Sequence, residues 1–252
     1  MHNVANPNEL NSIIKPQSNL PVGSLCLLVP SQANYRYLER LLQNSGQKPP
    51  MLTKRLLAGS VALQTFADTS LVGPLVGAPQ AGIICESLIS SGARKIILLS
   101  AAALLMSERS LPKIGDIVFP DSAIGEDGTS RAYGAPPIQE FVSSPLQTKL
   151  ENTVKAKIES GAAKLSCHRG RVWTTDTPYL ETPDKISYYR EQGAAIVDME
   201  FAAINFLSQR YGVMLAAAFV VSDLLGSQWT CGFRTKAYRL GTRTLLSAVE
   251  IV

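Results

Sequence analysis

Residues that build metal centres and disulfide frameworks are scarce in this sequence. It contains two histidines and four cysteines among 252 residues, and Cys26, Cys85, Cys167 and Cys231 form no CxxC pair. Thiols spaced this widely indicate reduced cysteines rather than disulfide staples. Two histidines are too few for a histidine-rich zinc centre. We therefore expect no metal and no cofactor.

Long apolar runs and strong charge are also missing. The longest nearly apolar run, 96–106, is eleven residues long, whereas a membrane helix needs about 20. Residues 1–7 carry neither the charged nor the apolar block of a signal peptide. Charged residues make up 17%, the net charge is +4 and the basic residues are scattered, which argues against nucleic-acid binding. These absences predict a cytoplasmic chain that binds neither membrane nor nucleic acid.

Short apolar runs alternate with amphipathic stretches along the rest of the chain. Four of the runs have the length and composition of buried strands: 25–29, 96–99, 194–197 and 213–221. Helix-like stretches such as 145–160 lie between the strand-like runs. This alternation is typical of an α/β sandwich with a parallel or mixed sheet. We predict a polar N-terminal arm over residues 1–22 and one α/β domain over residues 23–252.

The turns after these four strand-like runs are the candidate site, because open α/β sheets bind ligands at the carboxyl ends of their strands. Carboxylates follow two of the runs. Asp198 and Glu200 come after the third run, and Asp223 comes after the fourth. Catalytic groups are therefore expected where these two strands end.

Six short motifs occur in a fixed order along the chain. They are GAP at 77–79, GDIV at 115–118, EDGTSR at 126–131, VWTTDTPY at 172–179, VDME at 197–200 and VSD at 221–223. In this order they resemble the nucleoside phosphorylases, a family that includes purine nucleoside phosphorylases, uridine phosphorylases and methylthioadenosine nucleosidases. The resemblance implies a three-layer α/β/α sandwich around a distorted mixed central β-sheet.

The resemblance assigns ribose binding to the third run and the helix after it. Breaking a bond between ribose and a base passes through a sugar with oxocarbenium character. A carboxylate can accept two hydroxyl hydrogen bonds at once, and the resemblance gives this role to Glu200, with Met199 packed on the sugar. A first-turn carboxylate that complements the helix dipole is the structural alternative for Glu200. Asp198 is expected to cap the same helix.

The resemblance places the contacts with the base after the fourth strand-like run, 213–221. Asp223 becomes the general acid that protonates the leaving base, accompanied by Ser222 and assisted by the downstream Arg234. Trp173 matches the aromatic residue on which the base stacks. The structural alternatives are a helix cap for Asp223 and a core position for Trp173.

The family's phosphate-binding residues are the part that this sequence does not reproduce. Residues 30–35 replace a Gly-Asp-Pro loop, and Leu98 stands where a phosphate-binding arginine is expected. Leucine cannot form the bidentate contacts with which arginine fixes an oxyanion. The remaining candidates for binding phosphate or another anion are Ser31, Arg36, Ser100 and Arg131, with Lys54, Arg55 or a neighbouring subunit as further sources of positive charge.

The resemblance implies an enzyme, a pentosyltransferase that cleaves the N-glycosidic bond of a purine nucleoside with inorganic phosphate as co-substrate. The altered phosphate motifs leave two alternatives open. One is a nucleosidase that uses water, and the other is a relative that binds nucleosides or nucleobases without catalysis. The resemblance also implies a homo-oligomer, either a dimer or a hexamer.

Overall fold

The computed structural model describes residues 6–44, 55–57, 60–105, 112–161 and 164–251. The strands in these ranges are β1 (Leu25–Leu28), β2 (Arg55–Leu57), β3 (Val61–Phe66), β4 (Thr69–Gly73), β5 (Lys95–Leu105), β6 (Ile117–Gly125), β7 (Ile138–Glu140), β8 (Cys167–Thr174), β9 (Ala194–Asp198), β10 (Met214–Leu225) and β11 (Trp229–Cys231). The α-helices are α1 (Gln32–Asn44), α2 (Gly77–Ser90), α3 (Gly128–Ala132), α4 (Pro145–Ser160), α5 (Pro183–Glu191), α6 (Phe201–Tyr211) and α7 (Lys236–Ser247).

One mixed sheet contains all the described strands. Its order is β11-β10-β6-β8-β9-β5-β1-β4-β3-β2, with β7 added to β6. An additional pairing joins β10 to β5, so β5, β10, β6, β8 and β9 close into a ring of hydrogen-bonded strands. This closure distorts the central sheet, because β5 and β10 would lie too far apart to pair in a flat sheet with β6, β8 and β9 between them.

The longest strands, β5 and β10, lie side by side and parallel at the centre of the sheet. Both are almost fully buried, as is typical of parallel strands covered on two faces. Their register shifts between Val221 and Asp223, so that Ser222 is the extra residue of a β-bulge. Bulges redirect side chains beside active sites, and this one lies at the predicted catalytic pair.

Helices cover both faces of the sheet. Helices α2, α3 and α6 pack together on one face, and α1, α4 and α7 pack together on the other. A separate apolar core lies on each side, one containing Phe201 and Leu207 of α6 and the other containing Leu38 of α1 and Leu245 of α7. The predicted three-layer α/β/α sandwich is therefore confirmed.

Local sequence explains where the helices begin. The side chain of Ser144 accepts a hydrogen bond from the amide of Gln147, and Pro145 occupies the first turn of α4, a favourable combination at a helix start. In the same way Thr182 precedes Pro183 at the start of α5. Part of the predicted polar arm packs against the domain, because Leu20 is buried in the core that contains α2 and α6.

Several strands are longer than the sequence predicted. The run predicted to end at Leu99 continues as β5 to Leu105, and the run predicted to end at Val221 continues as β10 to Leu225. Ser100 therefore lies inside a strand rather than in a turn. Within the described ranges, no helix combines the length and the apolar character needed to cross a bilayer.

Candidate active site

A cavity of about 720 Å³ opens where β9 and β10 flank β5. This volume is in the usual range for small-molecule sites. The described residues that line it are Pro30, Ser31, Val76, Ser100, Ala101, Ala102, Ala103, Pro178, Tyr179, Glu181, Val197, Asp198, Met199, Glu200, Ser222, Asp223, Leu225, Trp229 and Phe233. The cavity thus brings together Glu200 and Asp223, which the sequence placed at the ends of two different strands.

Carboxyl groups dominate the polar lining. Glu181, Asp198, Glu200 and Asp223 all line the cavity, and none of the described lining residues is lysine, arginine or histidine. Like charges within one low-dielectric site raise each other's pKa. The described lining therefore offers an anionic ligand no cationic side chain with which to pair.

Glu200 is held by the backbone of the facing helix. Its side chain is 5% exposed, and Oε1 accepts a hydrogen bond of 2.7 Å from the amide of Gly77 at the start of α2. Gly77 has a φ of +78°, a conformation that residues with a side chain rarely adopt. The neighbouring Met199 lies in the cavity wall. Because one oxygen of Glu200 is anchored, the other remains to bind a ligand hydroxyl.

Asp198 holds the first turn of α6, as the sequence predicted. Its Oδ2 accepts hydrogen bonds from the amides of Phe201 at 2.8 Å and Glu200 at 3.2 Å, and its Oδ1 accepts one from the Thr174 hydroxyl at 2.6 Å. Burial raises the pKa of Asp198. Burial, followed by the charge of Asp198, likewise raises the pKa of Glu200 above its ordinary value. The pair is thus a buried carboxyl couple at the edge of the cavity.

Both carboxyl oxygens of Asp223 already have partners. Oδ2 accepts a 2.7 Å hydrogen bond from Nε1 of Trp229, and Oδ1 shares a short hydrogen bond with the hydroxyl of Ser222. The Ser222 hydroxyl also lies 3.1 Å from the carbonyl of Ala102. The bulge at Ser222 and the pairing of β10 with β11 therefore fix the orientation of Asp223.

Glu181 enters the cavity from a different segment. It follows a 3₁₀ turn over Pro178–Leu180 and is only partly exposed. Burial, together with the charge of Asp223, raises the pKa of Glu181 to about 7, although Lys185 opposes this shift. The sequence analysis did not single out Glu181, because a lone glutamate between two turns gives no motif.

The prediction that a base stacks on Trp173 is wrong in this structure. Trp173 is fully buried, and its ring stacks on Tyr189 with 4.2 Å between the ring centroids. Its Nε1 donates a 2.9 Å hydrogen bond to Glu126, which also forms an ion pair with Lys185. A fully buried ring that stacks on Tyr189 and whose N–H is already bonded cannot receive a nucleobase. The core alternative for Trp173 is the one that the structure supports.

The aromatic residues that do face the cavity come from the segment after β10. Trp229 on β11 is 62% exposed, and it lines the cavity with Phe233 and Tyr179. The sequence contains only two tryptophans, and the motif match favoured the other one. The position of Trp229 six residues after Asp223, close enough for a hairpin return, was the available signal.

The residues predicted to bind an anion or to assist proton transfer divide into two groups. Ser31 and Ser100 line the cavity. Arg36 on α1, Arg131 on α3 and Arg234 before α7 are exposed, and none of the three is part of the cavity lining.

The structure therefore does not bring these guanidinium groups to the site, and Arg234 does not reach Asp223 as the predicted assistant in proton transfer. Leu98 is fully buried, so it contributes apolar packing where an oxyanion ligand was expected. Lys54 lies outside the described residues, as does the side chain of Arg55. Among the residues that the structure describes, no group of histidine, cysteine, aspartate or glutamate side chains is arranged to hold a metal ion.

Comparison with known proteins identifies the family. The model of the phosphorylase superfamily matches residues 25–249, and the chain belongs to this family, the nucleoside phosphorylases that its motifs resemble. A guanosine phosphorylase from Halorubrum lacusprofundi is 23% identical over 158 residues, which is 63% of this chain and 62% of the relative. The match thus spans less than two thirds of that protein's length.

Solved structures show the same fold at low sequence identity. The purine nucleoside phosphorylase of Toxoplasma gondii, in complex with immucillin-H, has a TM-score of 0.72 at 16% identity, and the similarity covers 99% of this chain and 95% of that chain. A futalosine hydrolase mutant from Helicobacter pylori has a TM-score of 0.70 at 16% identity and covers 92% of this chain and all of that chain. Proteins named as phosphorylases and proteins named as hydrolases therefore share this fold.

Proposed function

We propose that this protein is an enzyme that cleaves the N-glycosidic bond of a nucleoside with a purine-like base. The observation that carries this proposal is the meeting of Glu200 and Asp223 in one cavity sized for a sugar joined to a heterocycle. Membership of the phosphorylase superfamily supports the reaction class. The substrate class rests on the carboxyl groups beside the aromatic lining.

Glu200 is the proposed ribose ligand. Its oxygen that does not contact Gly77 can accept hydrogen bonds from the ribose hydroxyls, and in its ionised form Glu200 stabilises the positive charge that develops on the sugar. Met199 provides an apolar surface for the sugar ring. These contacts strengthen as the bond to the base breaks, which is what catalysis requires.

The aromatic end of the cavity is the proposed base site. Trp229 and Phe233 provide flat apolar surface for a heterocycle. A leaving base needs a proton on a ring nitrogen, and a neighbouring carboxyl group can supply it. Trp229 therefore takes the stacking role that the sequence gave to Trp173.

Water is the proposed nucleophile. The carboxyl groups of Glu181, Asp198, Glu200 and Asp223 line the cavity without a described basic side chain, so the described lining offers a phosphate anion no cationic partner. Phosphorolysis is the second candidate, since the Halorubrum relative is named a guanosine phosphorylase. It requires a cation from outside the described lining, such as Lys54, Arg55 or a second subunit of a homo-oligomer.

An activity screen separates these candidates. Adenosine, inosine, guanosine and uridine are incubated with the protein in phosphate buffer and in phosphate-free buffer, and the products are separated by chromatography. We expect free base and ribose from a purine nucleoside in both buffers. Ribose 1-phosphate that forms only with phosphate would establish phosphorolysis instead. Calorimetric binding of a nucleoside without any product would establish a binding protein.

A further inference from the structure

We propose that Trp229 is a positioning residue for proton transfer, whose indole N–H holds Asp223 while that carboxyl group protonates the departing base. This inference rests on the proposed function, because it assigns a role within the same reaction. It adds a second task to the base stacking already proposed for Trp229. Three observations support it: the register of β10 and β11, the hydrogen bonds of Asp223 and the position of Arg234.

The pairing of β10 with β11 brings Trp229 to Asp223. In this antiparallel pair Asp223 lies opposite Cys231, and Leu225 lies opposite Trp229, so these four side chains share one face of the sheet. Trp229 is therefore the diagonal neighbour of Asp223, a separation that an aromatic side chain can bridge. Its Nε1 lies 2.7 Å from Oδ2 of Asp223, and both residues line the cavity.

The groups that form hydrogen bonds with Asp223 are neutral in the part of the chain that the structure describes. Oδ2 accepts from the indole of Trp229, and Oδ1 shares a hydrogen bond with Ser222. An indole N–H is a donor only and carries no charge. Arg234, the assistant that the sequence suggested, is exposed and does not belong to the described lining. Trp229 thus occupies the place beside Asp223 that a cation was expected to fill.

The hydrogen bond from Trp229 strengthens as the proton leaves Asp223. Oδ2 can carry this proton and still accept from Trp229 through a lone pair. When the base takes the proton, Asp223 becomes a carboxylate, and hydrogen bonds to an ionised acceptor are roughly twice as strong as those between neutral groups. An interaction that is stronger in the transition state than in the ground state accelerates the reaction. The N–H that orients Asp223 therefore also lowers the barrier to proton transfer.

The step balances with water as the only other reactant. The bond between C1′ and the base nitrogen breaks, its electron pair stays on the base, and that nitrogen takes the proton from Oδ2 of Asp223. Water adds to C1′ and loses a proton to solvent, and Asp223 takes up a proton from solvent. Trp229 keeps its own proton throughout.

The test separates the N–H of Trp229 from its aromatic surface. Trp229→Phe keeps an aromatic ring but has no N–H, and Glu159→Gln on the exposed side of α4 is the control. Both are assayed on a purine nucleoside, whose leaving base needs a proton, and on 4-nitrophenyl riboside, which releases a stable anion. We expect Trp229→Phe to lose about tenfold in kcat on the nucleoside, with KM near wild type, and to change little on the nitrophenyl riboside. The control should match wild type on both.

Two kinetic outcomes would overturn the proposal. An unchanged kcat on the nucleoside in Trp229→Phe would mean that Asp223 transfers its proton equally well without the N–H. An equal loss on both substrates would mean that the substitution disturbs binding or folding rather than proton transfer.

A measurement without catalysis distinguishes failure of this role from failure of the proposed function. The chain contains only two tryptophans, so the indole N–H signal that disappears from the NMR spectrum of Trp229→Phe belongs to Trp229. In Asp223→Ala this signal should move and its hydrogen exchange should become faster, because a largely exposed indole loses its acceptor. If the wild-type protein cleaves no nucleoside, the proposed function fails, while this signal still reports on the contact. An unchanged signal in Asp223→Ala would overturn the role of Trp229.

Discussion

Substitution of Glu200 by glutamine should remove activity and increase stability in the same protein. Glu200 is 5% exposed and lies beside the buried Asp198, so ionising it in the folded state is unfavourable. Glutamine keeps a carbonyl oxygen for the amide of Gly77 but carries no charge. The variant therefore relieves an electrostatic cost of folding and at the same time weakens ribose binding.

The size of both effects follows from the surroundings of Glu200. When Glu200 is ionised, two hydrogen bonds from ribose hydroxyls to it contribute about 3–6 kcal/mol together, so kcat/KM should fall by about 10²–10⁴-fold at a pH where Glu200 carries its charge. The raised pKa of Glu200 means that the folded protein holds a proton that the unfolded chain releases above its ordinary pKa of 4.5. Stability from this group is thus present at low pH and lost as the pH rises. At pH 8 the variant should be more stable than wild type by at least about 1 kcal/mol.

Urea denaturation at pH 5 and pH 8 measures the effect on stability in wild type, Glu200→Gln and Glu159→Gln. Steady-state kinetics on nucleosides measure the effect on kcat/KM. The difference between wild type and Glu200→Gln should grow from pH 5 to pH 8, and the exposed Glu159 should show no such trend. A Glu200→Gln variant that is less stable than wild type at pH 8, or that cleaves nucleosides normally, would refute this account of Glu200.

Three further substitutions test the positions of aromatic and glycine residues. Trp229→Phe removes the N–H that contacts Asp223 and should lower kcat/KM about tenfold with little change in Tm, because the residue is largely exposed; an unchanged kcat/KM would contradict its place in the site. Trp173→Ala should cost about 3–5 kcal/mol in urea denaturation, and a smaller loss accompanied by weaker nucleoside binding would return Trp173 to the base site. Gly241→Ala would place a Cβ 2.0 Å from the carbonyl oxygen of Gly115, so it should cost about 1–3 kcal/mol in the same assay, and an unchanged midpoint would contradict this close contact of α7.

Most of the fold could be predicted from the sequence because buried strands and capped helices have local signatures. The helix over 145–160 was predicted with its observed bounds, since Ser144 and Pro145 mark its start and an amphipathic pattern fills it. The extension of β5 beyond Leu99 could not be predicted. Alanine-rich sequence from Ala101 to Ala103 has weak strand propensity, and its conformation is set by pairing with β9 and β10.

The candidate site could be predicted in part, for the same reason. Glu200 and Asp223 follow apolar strands, so strand ends located them, and the structure brings them into one cavity. Trp229 and Glu181 reach the cavity through a short hairpin and a 3₁₀ turn. Neither segment has a periodic pattern, and their direction depends on tertiary contacts. Trp173 is buried and Trp229 is exposed, and a motif match does not reveal this difference in burial.

The neighbours of β5 have a consequence for the order in which the chain can fold. This strand pairs on one edge with β1, which ends at Leu28, and on the other edge with β10, which ends at Leu225. Contacts between such distant parts of a sequence form slowly, because a long loop must close first. During synthesis on the ribosome, β5 must wait with one edge unpaired until more than a hundred later residues have been added. A chaperone that shields this edge should therefore raise the yield of folded protein, and chains truncated before β10 should aggregate.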